Sequence, residues 1–263
     1  MGNFQFVGKP PTVAACIRPV ARRDRGCRLT EPVAQPKIAL QTVPLQLSHQ
    51  GSIFMRKSAL LLTLAVSIAI QAQDLKPIQL PTAQTEGGRP LMQVLKERKT
   101  RREFGPEKLP IQLLANLLWA AFGINRPDGG RTAPSAMNWQ EIDVYVAMGD
   151  GLFLYNAKAN RLEPVLAQDV RAATGTQAFV ATAPLNLVYV ADLSKRGRSG
   201  SEAEFFTAAD VGFISENVYL FCTSEGLATV VRGSVDRAAL AKIMKLRPNQ
   251  KILLAQSVGY PKK

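Results

Sequence analysis

Ile142-Asp143-Val144-Tyr145-Val146-Ala147-Met148-Gly149-Asp150-Gly151-Leu152-Phe153-Leu154-Tyr155 is the stretch whose reading decides the fold class. Ile142, Val144 and Val146 alternate with Asp143 and Tyr145, the period-2 pattern of a strand. Asp150-Gly151 is a hairpin signal, and Leu152 to Tyr155 reads as the returning strand. Helices and strands interleave outward from this hairpin. Leu91 to Lys99 reads as a short helix with Leu91, Val94 and Leu95 at core spacing. Pro110 opens a second helix carrying Leu113, Leu114, Leu117, Leu118 and Phe122, stopped by Gly123 and the Pro127-Asp128-Gly129-Gly130 turn. A turn at Ala157 to Asn160 leads toward Leu162, and Leu185 to Ala191 is a continuous apolar strand. Glu202 to Glu225 is the longest helical stretch, with Phe206, Asp210, Phe213, Asn217, Leu220 and Phe221 near one face and Gly226 as its C-cap. Thr229 to Val231 reads as a short buried strand, Asp236 caps a helix holding Leu240 and Ile243, and Ile252 to Val258 is the final strand. The expectation is one α+β or α/β layer domain.

The chain has 263 residues, 46% of them hydrophobic, enough for one domain with a sizeable core. Its net charge of +13 resembles a nucleic-acid signal. The distribution argues otherwise. Lys9, Arg18, Arg22, Arg23, Arg25, Arg28 and Lys37 stand against only Asp24 and Glu31 before residue 55, and Arg56 and Lys57 follow. The rest carries a moderate charge, and no nucleic-acid partner is expected.

Met55-Arg56-Lys57 followed by the apolar run Ser58 to Ile70 reads as a secretory signal, with cleavage after Ala72. The run is short for a bilayer span, so no stable span is expected after its removal. The organisation expected is therefore 1–54 as a mis-assigned or disordered extension, 55–72 as the signal peptide, 73–90 as an extended arm and 91–263 as the functional domain. Export to the periplasm or medium follows; the run also reads as a buried helix or an uncleaved anchor, and without a signal the protein would be cytoplasmic. Removal after Ala72 leaves Cys222 as the one cysteine, read as a small core residue, so no intrachain disulfide can form. It also removes His49, the one histidine, which excludes His-based nucleophilic catalysis and His-ligated zinc from the mature domain. No metal is expected.

Three separated segments carry the chemistry. Arg98-Lys99-Thr100-Arg101-Arg102-Glu103-Phe104 clusters cations with a hydroxyl, which suits a phosphate and a sugar-alcohol chain; the same cluster also suits a solvated helix end. Ala133-Pro134-Ser135-Ala136-Met137-Asn138-Trp139-Gln140 is turn-rich and carries amides that suit the polar edge of a ring, or an Asx-type turn packed by Met137 and Trp139. Val230-Val231-Arg232-Gly233 is an apolar strand ending in Gly, where backbone N–H groups can approach a flat ligand, or a strand ending at a surface Arg.

In order and spacing these segments resemble the nitroreductase superfamily of FMN enzymes over roughly the last two-thirds of the chain. The short end at Pro261-Lys262-Lys263 and the Leu152 to Pro164 hairpin are most similar to its SagB-type dehydrogenase branch, which includes azoline oxidases. The resemblance implies a nitroreductase-like α+β fold, with a mainly antiparallel central sheet flanked by helices in an intertwined homodimer. The long helix from Glu202 would be a core interface element. It also implies that Arg98, Lys99, Thr100 and Arg102 hold the phosphate, ribityl chain and ring edge, Thr100 keeping the hydroxyl of the commoner Ser. Pro134 and Ser135 would reach the partner subunit's flavin, and Asn138 the ring in its own subunit; Gln140 completes the match. Gln177 would meet the ring edge. Val231, Arg232 and Gly233 would present backbone toward the reactive flavin nitrogen, with Arg232 a candidate catalytic group for developing negative charge or for an anionic substrate. Phe104 reads as a core plug. The Trp that often follows two residues after Gln is absent, with Glu141-Ile142 in its place. Many members continue to a basic pair at the phosphate, whereas Lys262 and Lys263 read as an exposed tail.

The function so implied is ping-pong electron transfer through FMN from NAD(P)H or another donor to a small organic acceptor. Two alternatives stay open. One is an exported flavin oxidase or dehydrogenase that does not use NAD(P)H. The other is a non-catalytic flavin- or anion-binding protein.

Overall fold

The computed structural model describes residues 75–263; the signal-like segment and everything before it lie outside the described residues. In chain order the elements are β1 (Ile78–Gln79), α1 (Leu91–Glu97), α2 (Ile111–Phe122), β2 (Ile142–Met148), β3 (Gly151–Asn156), β4 (Arg161–Leu166), α3 (Phe179–Thr182), β5 (Leu185–Asp192), α4 (Ser201–Ser224), β6 (Ala228–Arg232), α5 (Arg237–Ile243) and β7 (Gln250–Gly259). The strands form one sheet in the order β1-β4-β3-β2-β5-β7-β6, and every neighbouring pair is antiparallel. The molecule is thus an α+β layer structure with an antiparallel sheet, as the hairpin reading requires.

Both faces of the sheet are covered. Val144, Val146, Phe153, Leu187 and Tyr189 pack toward α2 and α4, against Leu117, Leu118, Ile214 and Val218 among others. The intervening Tyr145, Ala147, Leu152, Val188 and Val190 pack on the opposite side with Leu240 and Met244. Period-2 alternation here separates two cores rather than core from water, which is why β5 is buried along its whole length and apolar apart from Asn186 and Asp192. Each fully buried Leu, Ile or Val in these layers contributes about 1.5–3 kcal/mol relative to exposure.

Chain punctuation follows local chemistry. Pro90 and Pro110 precede α1 and α2, and their carbonyls accept from Val94 N and Leu114 N. Gly226, at φ 71, turns the chain out of α4 so that Leu227 N reaches the Cys222 carbonyl at 2.7 Å. Asp236 accepts from Ala239 N at 3.0 Å and caps α5.

Two readings are corrected. In α1 only Val94 is buried, while Leu91 is 60% exposed and Leu95 47%. In α4 the inward face is Ala203, Thr207, Asp210, Val211, Ile214, Ser215, Val218, Tyr219 and Cys222. Of the residues expected to share its face only Asp210 is buried, and Phe213 is 49% exposed. The large aromatics drew the expected face toward what is, in this chain, the outer side.

The arm before α1 is extended, and within it Ile78–Gln79 pairs with β4 through Leu162 and Arg161. At the other end of the β2–β3 hairpin, Gly151 has φ 149, and a Cβ there would lie 2.7 Å from the Leu166 backbone oxygen. Gly151→Ala is expected to cost about 2 kcal/mol, read as a lower denaturation midpoint. Gly129→Ala, where a Cβ meets nothing within 4 Å, is expected to cost less. Equal midpoints for the two variants would contradict this account of the turn.

Candidate functional site

The first and third segments meet at one hydroxyl. The chain leaves α1 in an extended conformation at Arg98. Arg101 N then donates to Thr229 O at 3.0 Å, so the segment runs along the edge of β6 that β7 leaves free. Tyr219, on the inner face of α4, reaches this junction. Its oxygen accepts from Val231 N at 3.0 Å and lies 3.0 Å from Thr100 Oγ1. The Arg98 guanidinium sits 5.4 Å from the centre of the Tyr219 ring, within cation–π range. Phe104 turns inward and packs on Phe179, the plug expected of it.

The remaining cations divide. Arg98, Lys99 and Arg101 line a cleft of about 380 Å³ together with Arg89, Lys96 and Glu97, the last paired with Arg89. Arg102 is exposed and does not line it. The C-terminal tail lies beside the same segment: Gly105 N donates to Tyr260 O, and Lys262 N to Glu103 O. The side chains of Lys262 and Lys263 are exposed, but the tail's backbone is anchored there.

Arg232 turns away from the exposed Gly233. Arg232 is 4% exposed, and its guanidinium donates to Thr174 O at 2.7 Å and Asn186 Oδ1 at 3.0 Å, while its Nε has no partner among the described residues. Burial without a neighbouring carboxylate lowers its pKa to about 10, so it is still a cation at neutral pH. Gln177 is exposed, in a loop held beside Gly233 by Thr176 N donating to Ser234 O and by the Thr176–Ser234 hydroxyl pair.

The second segment lies elsewhere on α4. Ala136 N donates to Asp210 Oδ2 at 2.9 Å. Asp210 and Tyr219 are nine residues apart, so at a rise of 1.5 Å per residue the two junctions lie about 14 Å apart along the helix. The Pro134–Gln140 turn is strained, with Met137, Asn138 and Gln140 all at φ near 50. Its bonds are local: Gln140 N to Ser135 Oγ, Gln140 Nε2 to Asn138 Oδ1, Arg131 Nε to Gln140 Oε1. Pro134 and Asn138 are exposed and Ser135 is half-buried. Ser135 Oγ also bonds Glu141 Oε2 at 3.3 Å, and Glu141 Oε1 is buried with no partner. Glu141 and Asp210 are both buried carboxyls, and among the described residues neither forms an ion pair.

Sequence reading missed Tyr219, Glu141 and Asp210 as structural partners of the segments. Asp210 carries a readable signal, an acid between Ala209 and Val211 in the middle of a long helix; Glu141, beside Gln140 at the start of β2, carries little. Tyr219 carries none, because an inward Tyr on a long helix is ordinary core.

An edge strand followed by Gly, a basic loop laid along it and a strained polar turn on the same long helix characterise this α+β protein. The chain belongs to the Nitroreductase family, whose model matches residues 95–260, and it is accordingly an oxidoreductase of that family. A protein of Methanocaldococcus jannaschii named as a nitroreductase is 29% identical over 192 residues, which cover 69% of this chain and 96% of that one. A crystal structure from Ralstonia eutropha JMP134, also named as a nitroreductase, is 42% identical with a TM-score of 0.69, over 73% of this chain and 92% of that one. The NADPH:FMN oxidoreductase from Vibrio harveyi, solved with NAD+, shares the fold at 18% identity and a TM-score of 0.51, over 66% of this chain and 69% of that one.

The acid pair yields a pH prediction. Burial first, and the nearby Glu141 charge with it, raises the Asp210 pKa above its ordinary value. The folded chain therefore keeps a proton that the unfolded chain has already released, and stability falls as pH rises above the usual carboxylate range. Asp210→Asn keeps an acceptor for Ala136 N and removes the charge. It is expected to be more stable than the parent by about 1 kcal/mol at pH 8, with the gain shrinking toward pH 4. Thermal melts across that range check it; a parent that is more stable at pH 8 would contradict it.

Proposed function

We propose that this protein is an FMN-dependent oxidoreductase that works as a homodimer, each flavin seated between two copies of the chain. The observation that carries the reading is the Tyr219 junction, which holds the basic Arg98–Arg102 segment against the Gly-ended strand β6. The donor set fits the cofactor: Arg98 and Thr100 suit a phosphate, Lys99 and Arg102 add positive field, and with Val231 N already bonded to Tyr219 it is the Gly233 N–H beyond it that the strand edge offers to a flat ring. Gln177 stands beside that edge. FMN, when bound, supplies two-electron transfer to one reactant after another in a ping-pong scheme.

The chain's own residues bind and polarise. Arg232 acts through its buried charge, since its guanidinium is held inward by Thr174 and Asn186 and does not reach a substrate from there. The Pro134–Gln140 turn is tied to α4 at Asp210, about two and a half turns from Tyr219, and in this reading Pro134 and Ser135 serve the partner's flavin while Asn138 meets the ring in its own subunit. The outer face of α4 supports association. Phe205 is 70% exposed, Phe213 is exposed, and a Cβ at Gly212 between them would meet nothing within 4 Å. A mid-helix Gly costs about 1 kcal/mol relative to Ala, a cost that close approach of a second helix offsets.

We take NAD(P)H as the electron donor and a small organic molecule as acceptor. The signal-like Met55–Ala72 segment favours a second reading, an exported SagB-type oxidase or dehydrogenase with another donor. No helix among the described residues is long and apolar enough to cross a membrane.

Purified full-length protein, mixed with FMN and freed of excess, is expected to retain a flavin absorption spectrum that bleaches on anaerobic addition of NADH or NADPH. Retained flavin that bleaches only with dithionite supports the second reading. A folded dimer that retains no flavin contradicts both. Gly212→Leu is expected to shift the protein toward monomer by sedimentation and to weaken FMN retention at least tenfold; an unchanged dimer would remove α4 from the interface.

A further inference from the structure

Tyr219 does more than hold two segments together. Its hydroxyl has one proton, and the hydrogen bonds around it fix where that proton goes. Val231 N–H is an obligatory donor and occupies one lone pair of the Tyr219 oxygen at 3.0 Å. The ring is buried, 5% exposed, so an unpaired hydroxyl proton there would be costly. Either hydroxyl can donate across the 3.0 Å to Thr100 Oγ1, and since no other acceptor for the Tyr219 proton stands among the described residues, we assign that proton to Thr100. Thr100 therefore accepts from Tyr219, and its own proton is left free to donate outward. Thr100 is an exposed residue, at the surface end of this chain of bonds. Arg98 is kept on the ring face of the same Tyr219, 5.4 Å from its centre. One side chain thus sets the polarity of a hydroxyl and the place of a guanidinium beside it. Both are oriented to meet an acceptor that carries negative charge.

We propose that Tyr219 is a specificity-determining residue: by fixing Thr100 as a donor and seating Arg98, it makes the site select the phosphorylated flavin over the unphosphorylated one. Tyr219 is a positioning residue in this scheme and need not touch the ligand. Its phosphate effect is exerted at Thr100; the bond to Val231 N steadies the strand beneath either flavin, and Thr100→Val, which leaves that bond intact, isolates the phosphate effect. The inference rests on the FMN reading given above.

The test uses the full chain and two probes, FMN and riboflavin, with dissociation constants measured by quenching of flavin fluorescence. The parent is expected to bind FMN well above riboflavin. Tyr219→Phe keeps the ring under Arg98 and deletes the hydroxyl; it is expected to weaken FMN about tenfold, the scale of one charge-assisted hydrogen bond, and to change riboflavin less than twofold. Thr100→Val, at an exposed position that leaves the core intact, is expected to give the same selective loss. The double variant is expected to lose no more than either single one, since both break one chain of bonds. Thr100→Ser is expected to restore parental selectivity. Equal loss of both flavins in Tyr219→Phe, or additive losses in the double variant, would overturn the proposal and leave Tyr219 a structural residue. A parent that binds FMN without preferring it to riboflavin overturns it too, with the flavin reading intact. A parent that binds neither flavin overturns the flavin reading and this inference together.

Discussion

The constraint on which the site depends is the bond pair at the Tyr219 hydroxyl. β6 is the last strand of the sheet, and its outer edge would otherwise present unpaired backbone groups. Two groups on that edge are satisfied from outside the sheet: Thr229 O by Arg101 N, and Val231 N by Tyr219. The first fixes the height of the basic loop along the strand. The second ties both to α4, whose inner face is locked into the core by Val211, Ile214, Val218 and Cys222. Everything proposed for the phosphate follows from this arrangement, because a loop of exposed cations has no fixed geometry of its own.

α4 also carries the second junction. Asp210 holds the strained Ser135–Gln140 turn by Ala136 N, and Glu141 takes the Ser135 hydroxyl. Two buried acids at this place, without a cation, are a stability cost rather than a support. A similar cost is visible at Arg232, a buried cation with neutral partners and one unsatisfied nitrogen. Buried charge of both signs, unpaired with each other, is concentrated around the segments that the family resemblance assigns to the cofactor. Structural cores avoid such groups, and functional sites tolerate them.

Much of the fold was legible because its signals are local. The Asp150-Gly151 turn, Pro110, Gly226 and the Asp236 cap act within a few residues, and the elements they bound stand where the sequence places them. The orientation of α4 was not legible. Its aromatics Phe205, Phe206 and Phe213 compete with smaller inward residues such as Ala203 and Ser215, and periodicity cannot say which apolar face belongs to the chain's own core. The burial of Phe104 was legible, since one aromatic in a charged run has few other places to go. The Tyr219 junction was beyond reach: its partners are 119 and 12 residues away in sequence, and neither bond leaves a periodic trace. The inward turn of Arg232 was equally hidden, because Thr174 and Asn186 lie 58 and 46 residues from it.

A crystal structure of the full chain grown with FMN tests the central claim most directly, that the Tyr219 junction builds one seat completed by a second copy of the chain. The expected result places the phosphate within hydrogen-bond distance of Thr100 Oγ1, with the Thr100–Tyr219–Val231 bonds retained and Ser135 of the other protomer facing the same flavin. A flavin held elsewhere, or held at Thr100 only after those bonds have broken, would contradict it.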